Sequence, residues 1–307
     1  MKKIILSVIL CVLSFQAQAN TLRDISYGPQ KEQKIDVYLP SAPKAAPVIF
    51  MVHGGGWKNG DKEMSRVVEN KAARWVGAGF IFISVNYPML PDSSVSQQTD
   101  NIAKALAFSQ QEAGKWGGDK NKFILMGHSA GGHLVSLLNA NPDPVYKMGA
   151  SEWLGTVSLD SAGMDIVKAM KMPHFKLYDE VFGSMNEEGW ASLSPYHQLS
   201  NTTRPWLGVC SSTRKISCPQ NEDYAAKAKS LGVRAQVLPI ALKHGEINEQ
   251  LGLENDYTKQ VEEFMASLDP AVAALLSNSK ATPASTSSPD KREGPLRRYL
   301  RERASHR

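Results

Sequence analysis

The sequence is poor in cysteine, with Cys11, Cys210 and Cys218 the only three in 307 residues. That excludes a miniature scaffold built on disulfides and a cysteine-rich metal domain. Only one apolar run is long, and it is N-terminal, which excludes a polytopic membrane protein. No internal repeat is visible. No H-E-x-x-H or similar clustering of histidines and acids occurs, so no metal is implied. A basic domain surface is lacking too. The net charge is +5, but eight basic and three acidic residues lie between Lys280 and Arg307, and Lys2 and Lys3 sit at the start. The residues between these ends are slightly acidic, so nucleic acid is not an indicated partner. What remains is ordinary globular composition, 42% hydrophobic and 21% charged, which excludes wholesale disorder.

Residues 1–19 read as a secretory signal. Lys2 and Lys3 give a charged start, Ile4 to Phe15 is apolar apart from Ser7 and Ser14, and Ala17-Gln18-Ala19 is a small-x-small cleavage site. Leu10, where a small residue would be needed, argues against lipid attachment at Cys11. The expectation is export to the periplasm or the exterior, with no integral membrane segment left after cleavage. Export leaves Cys210 and Cys218, and an even pair in an oxidising compartment predicts a disulfide. Residues 269–307 change character. Ala281–Pro289 is small, polar and proline-containing, and a basic stretch follows. They read as a disordered, solvated tail, with electrostatic attachment to an anionic surface as the alternative. Residues 20–268 then form one domain.

Strand-like and helix-like patterns alternate through that domain. Ile35–Leu39 alternates, and Val48–Val52 is a continuous apolar run of the kind buried on both faces. Phe80–Val85, Phe123–Met126, Leu154–Leu159, Trp206–Cys210 and Ala235–Ile240 are similar. Helical patterns lie between them. The clearest has Tyr257, Val261, Phe264, Met265 and Leu268 on one face, and Asn221–Leu231 is another. The alternation predicts an α/β fold with a mostly parallel sheet covered on both faces. Sites in such sheets lie at the carboxyl ends of the strands.

Two motifs sit at predicted strand ends. Gly127-His128-Ser129-Ala130-Gly131-Gly132 contains G-x-S-x-G between the apolar run Phe123–Met126 and the helical Leu134–Leu138. Strand, sharp turn and helix are the context in which this motif presents a nucleophilic serine, here Ser129. Cβ atoms at Gly127 and Gly131 would obstruct so tight a turn. His53-Gly54-Gly55-Gly56-Trp57 follows Val48–Val52. Its glycines let backbone N–H groups approach a substrate closely. Gly55 and Gly56, with Ala130 at the helix start, are the candidate donors to an oxyanion.

HGGGW together with GHSAGGH resembles the α/β-hydrolase fold, in particular its carboxylesterase branch. That branch includes hormone-sensitive-lipase-like, feruloyl- and acetyl-xylan-esterase-like and kynurenine-formamidase-like enzymes. Gly117-Gly118-Asp119 and Ser194-Pro195 also look like it, and the resemblance spans roughly residues 33–268. It implies a sheet of about eight strands and hydrolysis of a small-molecule ester without a cofactor, through a Ser–His–acid triad. The implied base is His244, which follows the last predicted strand. The acid departs from the pattern. After Trp206–Cys210 the chain reads Ser211-Ser212-Thr213-Arg214-Lys215-Ile216, with two cations and no carboxylate. One strand earlier, Leu159-Asp160-Ser161-Ala162 looks like the Leu-Asp-Pro-Ala of pancreatic-type lipases. Asp160 is therefore the favoured acid, with Asp165, Glu222 and Asp223 as alternatives. Residues 164–205 form an insertion rich in methionine and aromatic residues, which could line a pocket or pack as a satellite core. The expected activity is ester hydrolysis. An arylformamidase or other amidase of the same fold is the alternative enzyme, and a non-catalytic binding scaffold is the alternative class.

Overall fold

A computed structural model describes residues 20–279. The expected signal, 1–19, and the basic stretch from Lys280 onward lie outside the described residues. The eight strands of the described residues are β1 Asn20–Ser26, β2 Lys34–Leu39, β3 Ala46–Val52, β4 Ile81–Val85, β5 Gly118–His128, β6 Gly155–Leu159, β7 Trp206–Ser211 and β8 Ala235–Ile240. They form one sheet in the order β1-β2-β4-β3-β5-β6-β7-β8. β2 runs antiparallel to β1 and β4, and every other pairing is parallel.

Strands β3, β4, β6 and β7 are buried along their whole length, and β5 is buried from Phe123 onward, which explains their apolar runs. Alternation within them divides the core in two. Val48, Phe50, Val52, Phe123 and Leu125 face Ile102 and Leu106 of the helix Val95–Glu112 and Leu134 and Leu138 of the helix Ala130–Ala140. Ile49, Met51, Ile124 and Met126 face Trp75 of the helix Ser65–Gly77 and Val261, Phe264 and Met265 of the helix Asp256–Ala266. The mostly parallel sheet between two helical layers is the architecture the sequence implies.

Two elements differ from the sequence reading. β1 was not anticipated. It is an edge strand with Leu22 exposed, and it reaches its pairing with β2 through an irregularity between Leu22 and Ile25. The tail does not begin at 269. Pro270–Ser279 is a helix that buries Val272 and Leu276 against the second core layer. Asp269 caps it, accepting the Ala271 N–H at 2.7 Å and the Val272 N–H at 3.3 Å, and Pro270 needs no donor in the first turn. The domain therefore extends ten residues or so beyond the expected boundary.

The insertion 164–205 folds as four short helices, Ile166–Met170, Lys176–Phe182, Glu187–Ser192 and Pro195–Gln198. Its apolar residues divide between the two anticipated roles. Met164 and Phe182 are buried in the core, whereas Met172, Phe175 and Tyr178 line a cavity.

Candidate active site

The carboxyl ends of β3, β5, β6, β7 and β8 converge above the sheet, and each carries a residue singled out from the sequence. At the end of β5, Ser129 has φ 55° and ψ −118°. Such a conformation is strained for a residue with a Cβ and persists only where its surroundings enforce it. The enforcement is visible in the flanking glycines. A Cβ on Gly127 would sit 2.4 Å from the Gly131 carbonyl oxygen, and one on Gly131 would sit 2.3 Å from that of Val52. Ser129 N–H donates to the Leu159 carbonyl at 2.9 Å, tying the turn to β6. The helix Ala130–Ala140 starts immediately afterwards, with its free N–H groups and positive dipole end beside Ser129.

The glycine loop lies against this elbow. A Cβ built on Gly54 would be 2.9 Å from the Ser129 Cβ. Among the described residues, the backbone N–H groups of Gly55, Gly56 and Ala130 donate to no protein acceptor. The flanking residues hold the loop in place. The Tyr87 hydroxyl donates to the His53 carbonyl at 3.0 Å, and the two rings stack with centroids 4.7 Å apart. Trp57 Nε1 donates to His133 Nδ1 at 3.2 Å, so His133 Nε2 carries the proton and donates to the Leu193 carbonyl at 2.7 Å. Burial pushes His133 down to about 4, which keeps it neutral in that role.

His244 opens the helix His244–Gln250 after β8. Its Nε2 is 3.0 Å from Ser129 Oγ, and its Nδ1 is 2.6 Å from Asp160 Oδ2. Asp160 follows β6 directly and is fully buried. Its Oδ1 accepts the Ser211 N–H at 2.8 Å and the Ser217 hydroxyl, and its Oδ2 also accepts Arg214 Nη1 at 2.6 Å. Burial opposes ionisation here. The hydrogen bonds from His244, Ser217 and Ser211 and the Arg214 charge outweigh it and hold the carboxyl well below the ordinary carboxylate range. The structure thus brings Ser129, His244 and Asp160 together. It takes the other candidate acids elsewhere. Asp165 caps the helix Ile166–Met170, Asp223 pairs with Lys168 at 2.6 Å, and Glu222 is exposed. The Sγ atoms of Cys210 and Cys218 are joined.

Five supporting residues were not legible in the sequence. Ser211, Arg214 and Ser217 reach Asp160 from a loop in which the sequence showed two cations and no acid. His128, next to the serine, donates from Nε2 to the His244 carbonyl at 2.9 Å. Burial, then the nearby His244, push it down to about 3, so it stays neutral. Lys71 is buried below the histidine's helix and donates to the Arg66 carbonyl at 2.9 Å and to the Asn248 carbonyl. Burial pushes Lys71 down to about 7.

Lys71 gives a pH dependence of known sign. The unfolded chain keeps this proton up to the ordinary lysine range, whereas the native protein releases it near 7. Native stability should therefore rise between about pH 7 and pH 10 through this group. Urea unfolding at pH 7 and pH 9 should show a gain in wild type of about 2 kcal/mol that is absent from Lys71→Met. Equal pH responses in the two proteins would remove Lys71 as its source.

The carboxylates of Asp24, Asp36 and Glu63 are grouped closely enough to hold a cation. They already surround the Lys62 ammonium, at 3.2, 2.9 and 2.9 Å respectively.

The BD-FAE family model matches residues 35–246. The chain belongs to the BD-FAE family. Curated relatives of this BD-FAE chain include the isoprenylcysteine alpha-carbonyl methylesterase ICME of Arabidopsis thaliana. It is 26% identical over 256 residues, covering 76% of this chain and 57% of the relative. Esterase LipC of Mycobacterium tuberculosis is 34% identical over 133 residues, covering 41% of this chain and 31% of LipC. The chain thus spans little more than half, or less, of the length of the curated relatives it matches. Among solved structures, a truncated carbohydrate esterase from gut microbiota superposes with a TM-score of 0.71 at 16% identity, covering 83% of this chain and 98% of that one. An esterase from Thermogutta terrifontis, Est2, superposes with a TM-score of 0.65 at 18% identity, covering 81% and 92%. The fold of this BD-FAE chain is the α/β-hydrolase fold.

Proposed function

We propose that this BD-FAE chain is an exported serine hydrolase that cleaves carboxylic esters. The carrying observation is the chain of contacts Ser129–His244–Asp160, at 3.0 and 2.6 Å, beside a glycine loop with free N–H groups. Ser129 Oγ attacks the ester carbonyl carbon while His244 Nε2 takes its proton. A serine hydroxyl needs such a base to act as a nucleophile. Asp160 accepts the Nδ1–H, fixes the tautomer and stabilises the imidazolium that forms. The carbonyl oxygen becomes an oxyanion and receives hydrogen bonds from Gly55, Gly56 and Ala130 N–H. His244 returns the proton to the departing alkoxide, which leaves an acyl-Ser129. Water, deprotonated by His244, then releases the acid. Esters rather than amides are favoured because the relatives' names are those of esterases. Export is supported by the amino-terminal pattern and by the bonded cysteine pair, which suits an oxidising compartment.

The substrate's apolar part has a place to go. A cavity of about 730 Å³ opens beside Arg214 and is lined by Met172, Phe175, Tyr178 and Ile216. Met172, Phe175 and Ile216 are exposed although large and apolar, as expected where a ligand covers them. The test is steady-state hydrolysis of p-nitrophenyl esters of increasing acyl length, with N-formylkynurenine as the amide comparison. Ester turnover that dominates supports the reading. Turnover of the formamide alone, or of neither, would overturn it.

A further inference from the structure

Among the described residues, and apart from His244, every donor to the Asp160 carboxylate comes from one short stretch, residues 211–217. Ser211 N–H and the Ser217 hydroxyl serve Oδ1, and Arg214 Nη1 serves Oδ2. Arg214 Nη1 also lies 3.2 Å from the Asp160 carbonyl oxygen. This stretch is the loop closed by the Cys210–Cys218 disulfide, between the end of β7 and the first turn of the helix Ser217–Ser230. It reaches the histidine's side as well. Ser211 Oγ donates to the Leu242 carbonyl at 2.6 Å, and Ser212 N–H donates to the Ile240 carbonyl at 3.0 Å. Asp160 itself has φ 49°, in the left-handed region that aspartate tolerates better than most residues with a Cβ.

We propose that the disulfide-closed loop 211–217 is a clamp that orients the acid, with Arg214 as its positioning residue. The inference rests on the hydrolase reading above. In place of an acid after β7, this chain has an acid after β6 and a set of donors from the end of β7 to the start of the next helix that hold it. The guanidinium keeps Oδ2 turned toward His244, and its charge favours the carboxylate form. The disulfide limits how far the loop can move from β7, so the three donors stay in register.

Arg214 also brings a consequence that a merely structural residue would not. Its Nη1 lies 3.0 Å from His244 Nδ1. With the carboxylate present, both nitrogens donate to Oδ2. Without it, Nη1–H faces Nδ1 directly and can bond only to an unprotonated nitrogen. The imidazole proton then moves to Nε2, which can no longer accept from Ser129. Arg214 supports the triad while Asp160 is there and opposes it once Asp160 is gone.

The test combines kcat and KM for a p-nitrophenyl ester with nitrogen NMR of ¹⁵N-histidine-labelled protein, which reports the His244 tautomer without substrate. Wild type should carry the proton on Nδ1. Arg214→Gln should lower kcat by about 100-fold, the loss that a misplacement of about 1 Å can cause, with KM changed by less than about twofold. Its His244 nitrogens should move toward a mixture of tautomers. Arg214→Lys should recover part of both signals, and the Cys210→Ala/Cys218→Ala pair should shift them in the same direction as Arg214→Gln. The double variant Asp160→Ala/Arg214→Ala should be more active than Asp160→Ala by about tenfold. Arg214→Gln with an unchanged tautomer and a kcat within about threefold of wild type would overturn the clamp. So would a double variant no more active than Asp160→Ala. An Arg214-dependent tautomer in a protein that hydrolyses no ester would instead refute the hydrolase reading and leave the clamp standing.

Discussion

Asp160→Asn should lower kcat by about 10⁴-fold with KM nearly unchanged. Both carboxylate oxygens of Asp160 face N–H donors. Oδ1 meets Ser211 N–H, and Oδ2 meets His244 Nδ1 and Arg214 Nη1. Asparagine offers one oxygen and one amide group, so either orientation sets an N–H against an N–H. With the amide toward His244, Nδ1 must accept and the proton sits on Nε2, where it blocks Ser129. With the amide toward Ser211, a buried backbone donor loses its partner. Neither orientation supplies the negative charge that the imidazolium requires. Asp165→Asn, Glu222→Gln and Asp223→Asn should each stay within about twofold of wild type, because their side chains serve a helix cap, solvent and Lys168. A drop in one of these three with little change in Asp160→Asn would show that the acid is misassigned.

Ser129→Ala should abolish turnover, with a loss on the order of 10⁴-fold or more in kcat. Ser129 Oγ makes its hydrogen bond to His244 Nε2, and the elbow is held by backbone contacts and glycines that the substitution does not touch. The melting temperature should therefore stay within about 2 °C of wild type. Activity within about tenfold of wild type would remove Ser129 from the nucleophile's role.

The legible parts of this molecule are those fixed by local physics. β3 to β7 read as strands because burial on both faces demands runs such as Val48–Val52. The elbow and the glycine loop were legible because their glycines have no substitute where backbones approach so closely. Asp160 could be favoured because Leu159-Asp160-Ser161-Ala162 ends a predicted strand and looks like the Leu-Asp-Pro-Ala of pancreatic-type lipases. β1 was not legible, since an exposed edge strand needs no apolar run. The helix Pro270–Ser279 was obscured for a different reason. Val272, Leu275 and Leu276 give it a face barely more than one turn long, next to a long polar tail. Arg214, Ser211 and Ser217 lay beyond sequence reasoning altogether. Sequence spacing showed cations where an acid was expected, but that they turn toward the previous strand's acid depends on how a loop closed by a disulfide folds back.

The most direct test of the account is covalent. The protein is incubated with a fluorophosphonate, digested, and the adduct located by mass spectrometry. A Ser129 nucleophile activated by His244 should give one adduct per chain, on Ser129 within Gly127–Gly132, lost in His244→Ala as well as in Ser129→Ala. A protein that takes up no label, or one labelled at any other residue, would contradict it.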